Sequence, residues 1–367
     1  MSAASTQLRP IRLLLTGGGT GGHLFPAVAT AENLGSRAAG STVLFIGTKR
    51  KLDRIYLEKF GFSVKTIHSY GLKGKKIPAL IKALAVLPVS FIEACYHLIR
   101  FRPHVVCGVG GYVTGPVVAA AWLLRIPTLI HEQNSVPGLA NRKLGPLVDK
   151  ICLSLPQSEK YFPAGKTVLT GNPVRRSILE VAPSAGGGDG KLTLLVLGGS
   201  QGAHGINTLM VEVLTGGCGD FPGLRVIHQT GKNDEKMVSK AYRKSGLDAR
   251  VSAFFTDMAE VYRQADLVVS RAGATTLAEI AVLGKPAVLI PYPHAADNHQ
   301  QTNADWYAES GGAVLLVEQG LTADRLGTTL KEILTNPDKL EQMSSGMRKL
   351  SMPDAADRIV DICLTLA

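Results

Sequence analysis

The chain has 367 residues, 45% of them hydrophobic, with 40 glycines and a net charge of +11. That length suffices for two hydrophobic cores, and the composition excludes a disordered, collagen-like or disulfide-framework protein. Five cysteines (Cys95, Cys107, Cys152, Cys218, Cys363) form no C-x-x-C pair, which predicts free thiols in a reducing compartment and no structural zinc.

The charge is divided unevenly. Residues 1–176 hold 23 Lys and Arg against 7 Asp and Glu, a balance of +16, whereas residues 177–367 hold 17 against 22. A cationic amino-terminal half suits an anionic partner, either nucleic acid or a membrane surface.

In chain order, the first ten residues lack an apolar signal core, so a secretory leader is not expected. The apolar run Ile11–Thr16 then enters Gly17-Gly18-Gly19-Thr20-Gly21-Gly22-His23. A strand ending in glycines turns tightly and aims amide N–H groups, with a helix dipole behind them, at an anion such as a diphosphate. A plain strand-to-helix packing turn is the alternative. Gly17, Gly19 and Gly22 also satisfy G-x-G-x-x-G, but the next strand, Thr42–Ile46, runs into Gly47-Thr48-Lys49-Arg50-Lys51. A basic cluster stands where a ribose-gripping carboxylate would be needed, which disfavours NAD.

Lys73, Lys75, Lys76 and Lys82 lead into an apolar helical stretch through Ile92, interrupted by Pro88. The apolar segment Ala83–Ile92 is far short of the roughly 20 residues that span a bilayer. It reads as a peripheral helix in the headgroup region or as a buried helix. Aromatic content of 6% without basic-aromatic alternation argues against a nucleic-acid groove.

Further apolar runs at Val105–Cys107, Thr128–Ile130, Ile151–Leu153 and Val168–Thr170 continue a βα rhythm. The loops after them carry the chemistry. Gly108 to Pro116 permits close backbone approach and holds Tyr112, suited to a sugar. His131-Glu132-Gln133-Asn134 gathers four hydrogen-bonding side chains, and Thr170 to Arg175 fixes an arginine near the seam between halves.

Residues 177–190, rich in glycine, read as a linker, after which the rhythm restarts at Leu192–Leu197 and Gly198-Gly199-Ser200-Gln201-Gly202. Strands follow at Arg225–His228, Arg250–Ala253, Leu267–Ser270, Ala287–Ile290 and Ala313–Leu316. Small and hydroxyl residues from Ser270 open a helix whose start can take a diphosphate, with Glu279 one turn on to accept from ribose hydroxyls or to stand as a solvated carboxylate. Pro291 to Ala304 concentrates amides and imidazoles fit for sugar hydroxyls. The expected fold is α/β: two doubly wound Rossmann-like domains facing across a cleft, residues 1–176 and 191–352, with a closing helix over 353–367.

Seven of these segments, in order, resemble the MurG family of bacterial N-acetylglucosaminyltransferases, which convert lipid I to lipid II on a two-domain GT-B scaffold. They are Gly18 to His23, Gly110 to Pro116, His131 to Asn134, Thr170 to Arg175, Gly198 to Gly202, Arg271 to Glu279 and His299-Gln300. The resemblance implies UDP-N-acetylglucosamine as donor, a lipid-linked muramyl pentapeptide as acceptor, inversion at the anomeric carbon, no cofactor or metal, and a peripheral seat on the cytoplasmic face of the inner membrane. Carried over by motif, it places Thr20, Gly21 and Gly22 at the sugar-diphosphate edge, Asn134 at the donor sugar, Arg175 and Phe255 around uridine, and Ser200 at a phosphate. Ala274, Thr275, Thr276, Leu277, Ala278 and Glu279 would cradle diphosphate and ribose, and Gln300 a sugar hydroxyl. Phe255 stands where relatives carry a smaller aliphatic residue, which puts a side-chain fit there in doubt.

Transfer needs a base for the attacking hydroxyl and N–H donors for the departing UDP. His23 is the expected base, with a capping or phosphate-contacting histidine as its alternative, and Glu132 is held in reserve. A UDP-sugar epimerase, a lipid galactosyltransferase and a non-catalytic adaptor on the same scaffold are the rival functions.

Overall fold

The structure, a computed structural model, describes residues 8–18, 21–48, 57–58, 60–71, 77–181, 191–199, 201–216 and 221–367, and for 77–84 the backbone alone. The chain divides into two compact units, one of residues 1–176 with 353–367 and the other of residues 177–352.

Unit 1 is built on a seven-stranded parallel sheet: β1 (Arg12–Thr16), β2 (Thr42–Gly47), β3 (Ser63–Thr66), β4 (Val105–Gly108), β5 (Thr128–Glu132), β6 (Lys150–Leu153) and β7 (Thr167–Leu169). The spatial order is β3-β2-β1-β4-β5-β6-β7, so the direction of winding reverses between β1 and β4. Successive side chains of a strand point to opposite faces, and a sheet covered on both sides draws on near-continuous apolar runs. Leu13 and Leu15 of β1 enter one core with Phe45, Cys107, Leu129 and Cys152. Leu14 enters the other with Leu44, Ile46, Val106, Ile130 and Ile151.

Helix α1 (Gly21–Arg37) covers the first face through Leu24, Ala27, Val28, Ala31 and Leu34, the i, i+3, i+4, i+7 stripe of an amphipathic helix. The last helix of the chain, Ala355–Leu366, returns to lie against α1 and adds Ile359, Val360 and Cys363 to the same core. Arg37, in the last turn of α1, donates to the Asp357 carbonyl at 3.0 Å and to Asp361 Oδ1 at 2.6 Å. Helices α2 (Ile77–Phe101) and α3 (Thr114–Leu123) cover the opposite face and pack on each other.

Unit 2 repeats the plan with six parallel strands: β8 (Thr193–Leu197), β9 (Arg225–Gln229), β10 (Ala249–Ser252), β11 (Leu267–Ser270), β12 (Ala287–Leu289) and β13 (Ala313–Leu315). Their order is β10-β9-β8-β11-β12-β13, with the reversal between β8 and β11. Leu194, Val196, Leu267 and Val269 pack on Ile206, Met210 and Val213 of helix α4 (His204–Thr215).

Both sheets are doubly wound, as the sequence implies. A short helix, Arg176–Leu179, with Ile178 buried, stands where the linker was expected to begin, and composition also misses strand β3. This strand is a sheet edge of four residues, none of them buried, so it needs no apolar run. The four described cysteines are free, and Cys107, Cys152 and Cys363 share one core, where burial pushes the Cys107 thiol up to about 12.

Candidate functional site

In doubly wound sheets a ligand crevice opens outside the carboxyl ends of the strands where the order reverses. In unit 1 that point lies between β1 and β4, and two glycine turns interlock there. An added Cβ at Gly110 would stand 2.9 Å from His23 Cε1, and one at Gly111 would meet the Gly18 carbonyl. Gly110 and Gly111 also have φ of +99° and +88°, which side-chain-bearing residues resist. The bare backbone of Gly110 is thus the floor on which the His23 imidazole rests.

The end of β5 supplies the wall. His23 Nδ1 is 2.9 Å from Gln133 Oε1, and Gln133 Nε2 donates to the Val109 carbonyl at 3.0 Å and meets His131 Nδ1 at 3.0 Å. His131 Nε2 lies 3.1 Å from the Gly171 carbonyl and 3.0 Å from Ser154 Oγ. His131 is fully buried, and burial lowers its pKa to about 4, so it stays neutral across the physiological range.

Glu132 has a different task from the reserve base that the sequence suggested. It is 1% exposed, and its Oε1 accepts from the Asn134 amide N–H and Nδ2 at 3.0 and 3.4 Å. Its Oε2 accepts from Asn141 Nδ2 at 2.8 Å and from Gly138 N at 3.2 Å. Four donors occupy the lone-pair positions of one carboxylate, so Glu132 shapes the 134–138 loop and has no position left for a substrate proton. Asn134, half-buried, is thereby held at the loop's start.

Tyr112 stands exposed, its ring lying over Gly71, where an added Cβ would run into the ring. Gly21 and Gly22 open α1, and Gly21 faces the Phe25 ring. Arg175 stacks its guanidinium 4.3 Å over that same Phe25 ring. It also counters the burial that raises the pKa of Glu32, so within unit 1 it already serves α1. Thr20 and Ser200 lie outside the described residues.

In unit 2 the corresponding reversal lies between β8 and β11. Beyond β11, helix α5 (Ala274–Val282) begins at Gly273, which supplies no capping side chain to the first-turn amides. Such an uncapped start pairs N–H groups with the positive end of the helix dipole, the arrangement that binds phosphate. Ala274, Thr275 and Thr276 stand half-buried on this first turn. Leu277 departs from expectation: its side chain is fully buried and its N–H donates to the Gly273 carbonyl, so it offers a ligand neither group. Ala278 is half-buried in the next turn. Glu279 is 5% exposed, and its Oε2 accepts from the Tyr262 hydroxyl at 2.8 Å.

The surrounding loops are braced by Arg271, which forms a two-pronged ion pair with Glu318 at 2.8 and 3.0 Å and donates to the Ile290 and Pro291 carbonyls. Helix α6 (His299–Glu309) starts after two consecutive left-handed residues, Asp297 and Asn298. Gln300, in its first turn, accepts from the Tyr292 N–H at 3.0 Å through Oε1, which leaves its Nε2 donor without a partner among the described residues. Phe255 is buried beneath Arg250, and its N–H donates to Gln229 Oε1 at 3.0 Å while Gln229 Nε2 reaches the Gly199 carbonyl. The Phe255 backbone N–H is thereby engaged within unit 2.

Tyr262, Glu318, Gln229 and the orienting role of Gln133 escape sequence reasoning, because each meets its partner across separate elements. Gln133 alone carried a signal, its place within His131 to Asn134.

Residues 13–153 match the model of the glycosyltransferase family 28 N-terminal domain, and residues 193–359 that of the C-terminal domain. A curated protein of Desulfotalea psychrophila is 56% identical over 98% of both chains. Its name is UDP-N-acetylglucosamine–N-acetylmuramyl-(pentapeptide) pyrophosphoryl-undecaprenol N-acetylglucosamine transferase. A protein of the same name from Myxococcus xanthus is 43% identical over 97% of this chain and 93% of its own. Among solved structures, Acinetobacter baumannii MurG superimposes with a TM-score of 0.78 at 31% identity, covering 97% of this chain and 100% of that one.

Proposed function

The chain belongs to glycosyltransferase family 28, and from that membership we propose how its two units divide one transfer reaction. The enzyme moves N-acetylglucosamine from UDP-N-acetylglucosamine to the undecaprenyl-pyrophosphoryl muramyl pentapeptide, the step that makes lipid II from lipid I in peptidoglycan synthesis. In our reading, His23 Nε2 takes the proton from the muramyl 4-hydroxyl as that oxygen attacks the anomeric carbon, with inversion. The bond to the UDP oxygen breaks, and the departing diphosphate is met by the amides at the start of α5 and by its helix dipole. Glu279 accepts from the ribose hydroxyls, Gln300 Nε2 donates to a sugar hydroxyl, and Asn134, Thr20 and Ser200 complete the donor contacts.

The observation that carries this reading is the His23 imidazole at the strand-order reversal of unit 1, with Nδ1 engaged by Gln133 and Nε2 without a partner among the described residues. Imidazole chemistry suits proton transfer near neutrality.

We also propose that unit 1 rests on the anionic cytoplasmic face of the inner membrane. Val89, Ile92, Tyr96 and Ile99 form one exposed stripe on α2 at i, i+3, i+7, i+10, between 48% and 68% exposed. Trp122 and Leu123 stand exposed at the end of α3, on which α2 packs. No described helix is long and apolar enough to cross a membrane, and a solvent-facing stripe on a basic unit fits a helix lying in the interface. The lysines at 73, 75 and 76 lie outside the described residues, as does the side chain of Lys82.

Incubation with labelled UDP-N-acetylglucosamine and a short-chain lipid I analogue should move label to the lipid. His23→Ala should cut kcat by roughly 10²- to 10⁴-fold with UDP binding retained, the span a positioned general base supplies. Undiminished transfer by His23→Ala would overturn the assignment of the base.

A further inference from the structure

We propose that Gln133 is a positioning residue that holds the His23 imidazole in its Nδ1–H tautomer, and that His131 in turn holds Gln133. The direction of every hydrogen bond in the row follows from groups that can only accept. Carbonyl oxygens of Val109 and His131 lie 3.0 and 3.2 Å from one end of the Gln133 amide, so that end is the NH2. Reversing the amide would press its oxygen against two carbonyl oxygens in a buried site. The other end, facing His23 Nδ1 at 2.9 Å, is therefore Oε1, and it requires a proton on Nδ1.

His131 fixes the same orientation independently. Its Nε2 faces the Gly171 carbonyl at 3.1 Å and so carries the ring proton, which leaves Nδ1 as an acceptor for Gln133 Nε2 at 3.0 Å. Burial keeps His131 neutral, and a neutral ring preserves that acceptor. Gln133 is itself 2% exposed, so water does not compete for these partners.

The consequence lies at the far side of the His23 ring. With the proton on Nδ1, the lone pair sits on Nε2, the nitrogen a general base must present. In hydrolase triads a buried carboxylate sets the tautomer and also places a negative charge beside the ring. The Gln133 amide orients without adding that charge. This catalytic consequence rests on the reading of His23 as the base, whereas the tautomer itself does not.

Long-range proton–nitrogen correlation spectra of the full-length protein labelled at histidine nitrogens read the tautomer directly, with the His23 signals identified by their loss in His23→Gln. The expected wild-type result is the Nδ1–H form. Gln133→Met keeps the side chain's length but removes the acceptor. It should give a mixture of tautomers and lower kcat by roughly 10- to 100-fold with KM for UDP-N-acetylglucosamine within about 2-fold, part of what a general base supplies. An Nε2–H ring in the wild type, or an unchanged tautomer and kcat in Gln133→Met, would overturn the proposal. Full transfer by His23→Ala would remove the base reading while the spectra still decide whether Gln133 sets the ring.

Discussion

The Tyr262 hydroxyl donates to Glu279 Oε2 at 2.8 Å, with both side chains buried in unit 2. One oxygen of this carboxylate is thus fixed from within the protein, and the plane of the carboxylate with it. A glutamate that is to accept from two ribose hydroxyls gains from being set before the nucleotide arrives, since less conformational freedom is then lost on binding.

Tyr262→Phe should therefore weaken UDP binding by roughly 5- to 30-fold, about 1–2 kcal/mol, a part of the roughly 1.5–3 kcal/mol that a hydrogen bond to a charged group carries. Isothermal titration with UDP measures it. An unchanged affinity would mean that Glu279 does not reach the ribose or does not need Tyr262.

Gly110→Ala places a methyl group against the His23 ring at a φ of +99°. The strain is on the order of 1–3 kcal/mol, and the ring must leave its floor. We expect kcat to fall more than about 10-fold, with UDP affinity, which we assign to unit 2, within about 2-fold of wild type. Steady-state transfer kinetics together with the UDP titration separate the two effects.

Acid should loosen unit 2 through His228. This ring is fully buried between the Tyr242 hydroxyl and Asn207 Oδ1, each at 3.0 Å, and burial lowers its pKa to about 3. Its folded pKa lies below the unfolded value near 6.5, so the unfolded chain binds the extra proton between those values and stability rises with pH there. The contribution is complete above about pH 6.5 and declines by on the order of 1.4 kcal/mol per pH unit as pH falls toward 3. Trp306 lies in unit 2 and Trp122 in unit 1, so Trp122→Phe leaves one fluorophore to follow urea unfolding of unit 2 at pH 7.5, 6 and 5. A midpoint that does not move over this range contradicts the prediction.

Ile92→Glu with Ile99→Glu should abolish most co-sedimentation with anionic vesicles. Both side chains are more than 60% exposed, so the melting temperature should stay within about 2 °C of wild type. Lys75→Glu with Lys76→Glu should weaken the same binding in a salt-dependent way. Retention of vesicle binding by both pairs would remove the membrane reading.

What the residues disclosed in advance divides along physical lines. Strands buried on both faces read as near-continuous apolar runs, so Leu13 to Leu15 and Leu194 to Leu197 stand out at once, while the unburied edge Ser63–Thr66 does not. Glycine turns are legible because φ and close approach forbid other residues, as at Gly110. A side chain's task is harder to read. Glu132 looked free to act and is enclosed by four donors, and Leu277 sat within a ligand-like motif but turns inward with the helix. Tyr262 and Glu279, or Arg271 and Glu318, become partners only when the sheet is assembled, and nothing in local periodicity announces them.

The final helix has a bearing on how the molecule is made. Ile359, Val360 and Cys363 fill a core whose other walls are translated hundreds of residues earlier, so the first unit begun cannot close its interior until Ala355–Leu366 has been synthesised. The second unit is in effect an insertion, able to fold while its host still waits. A nascent chain arrested before Ala355 would carry an open apolar seam along Leu24–Leu34, and chaperones should hold that seam until release.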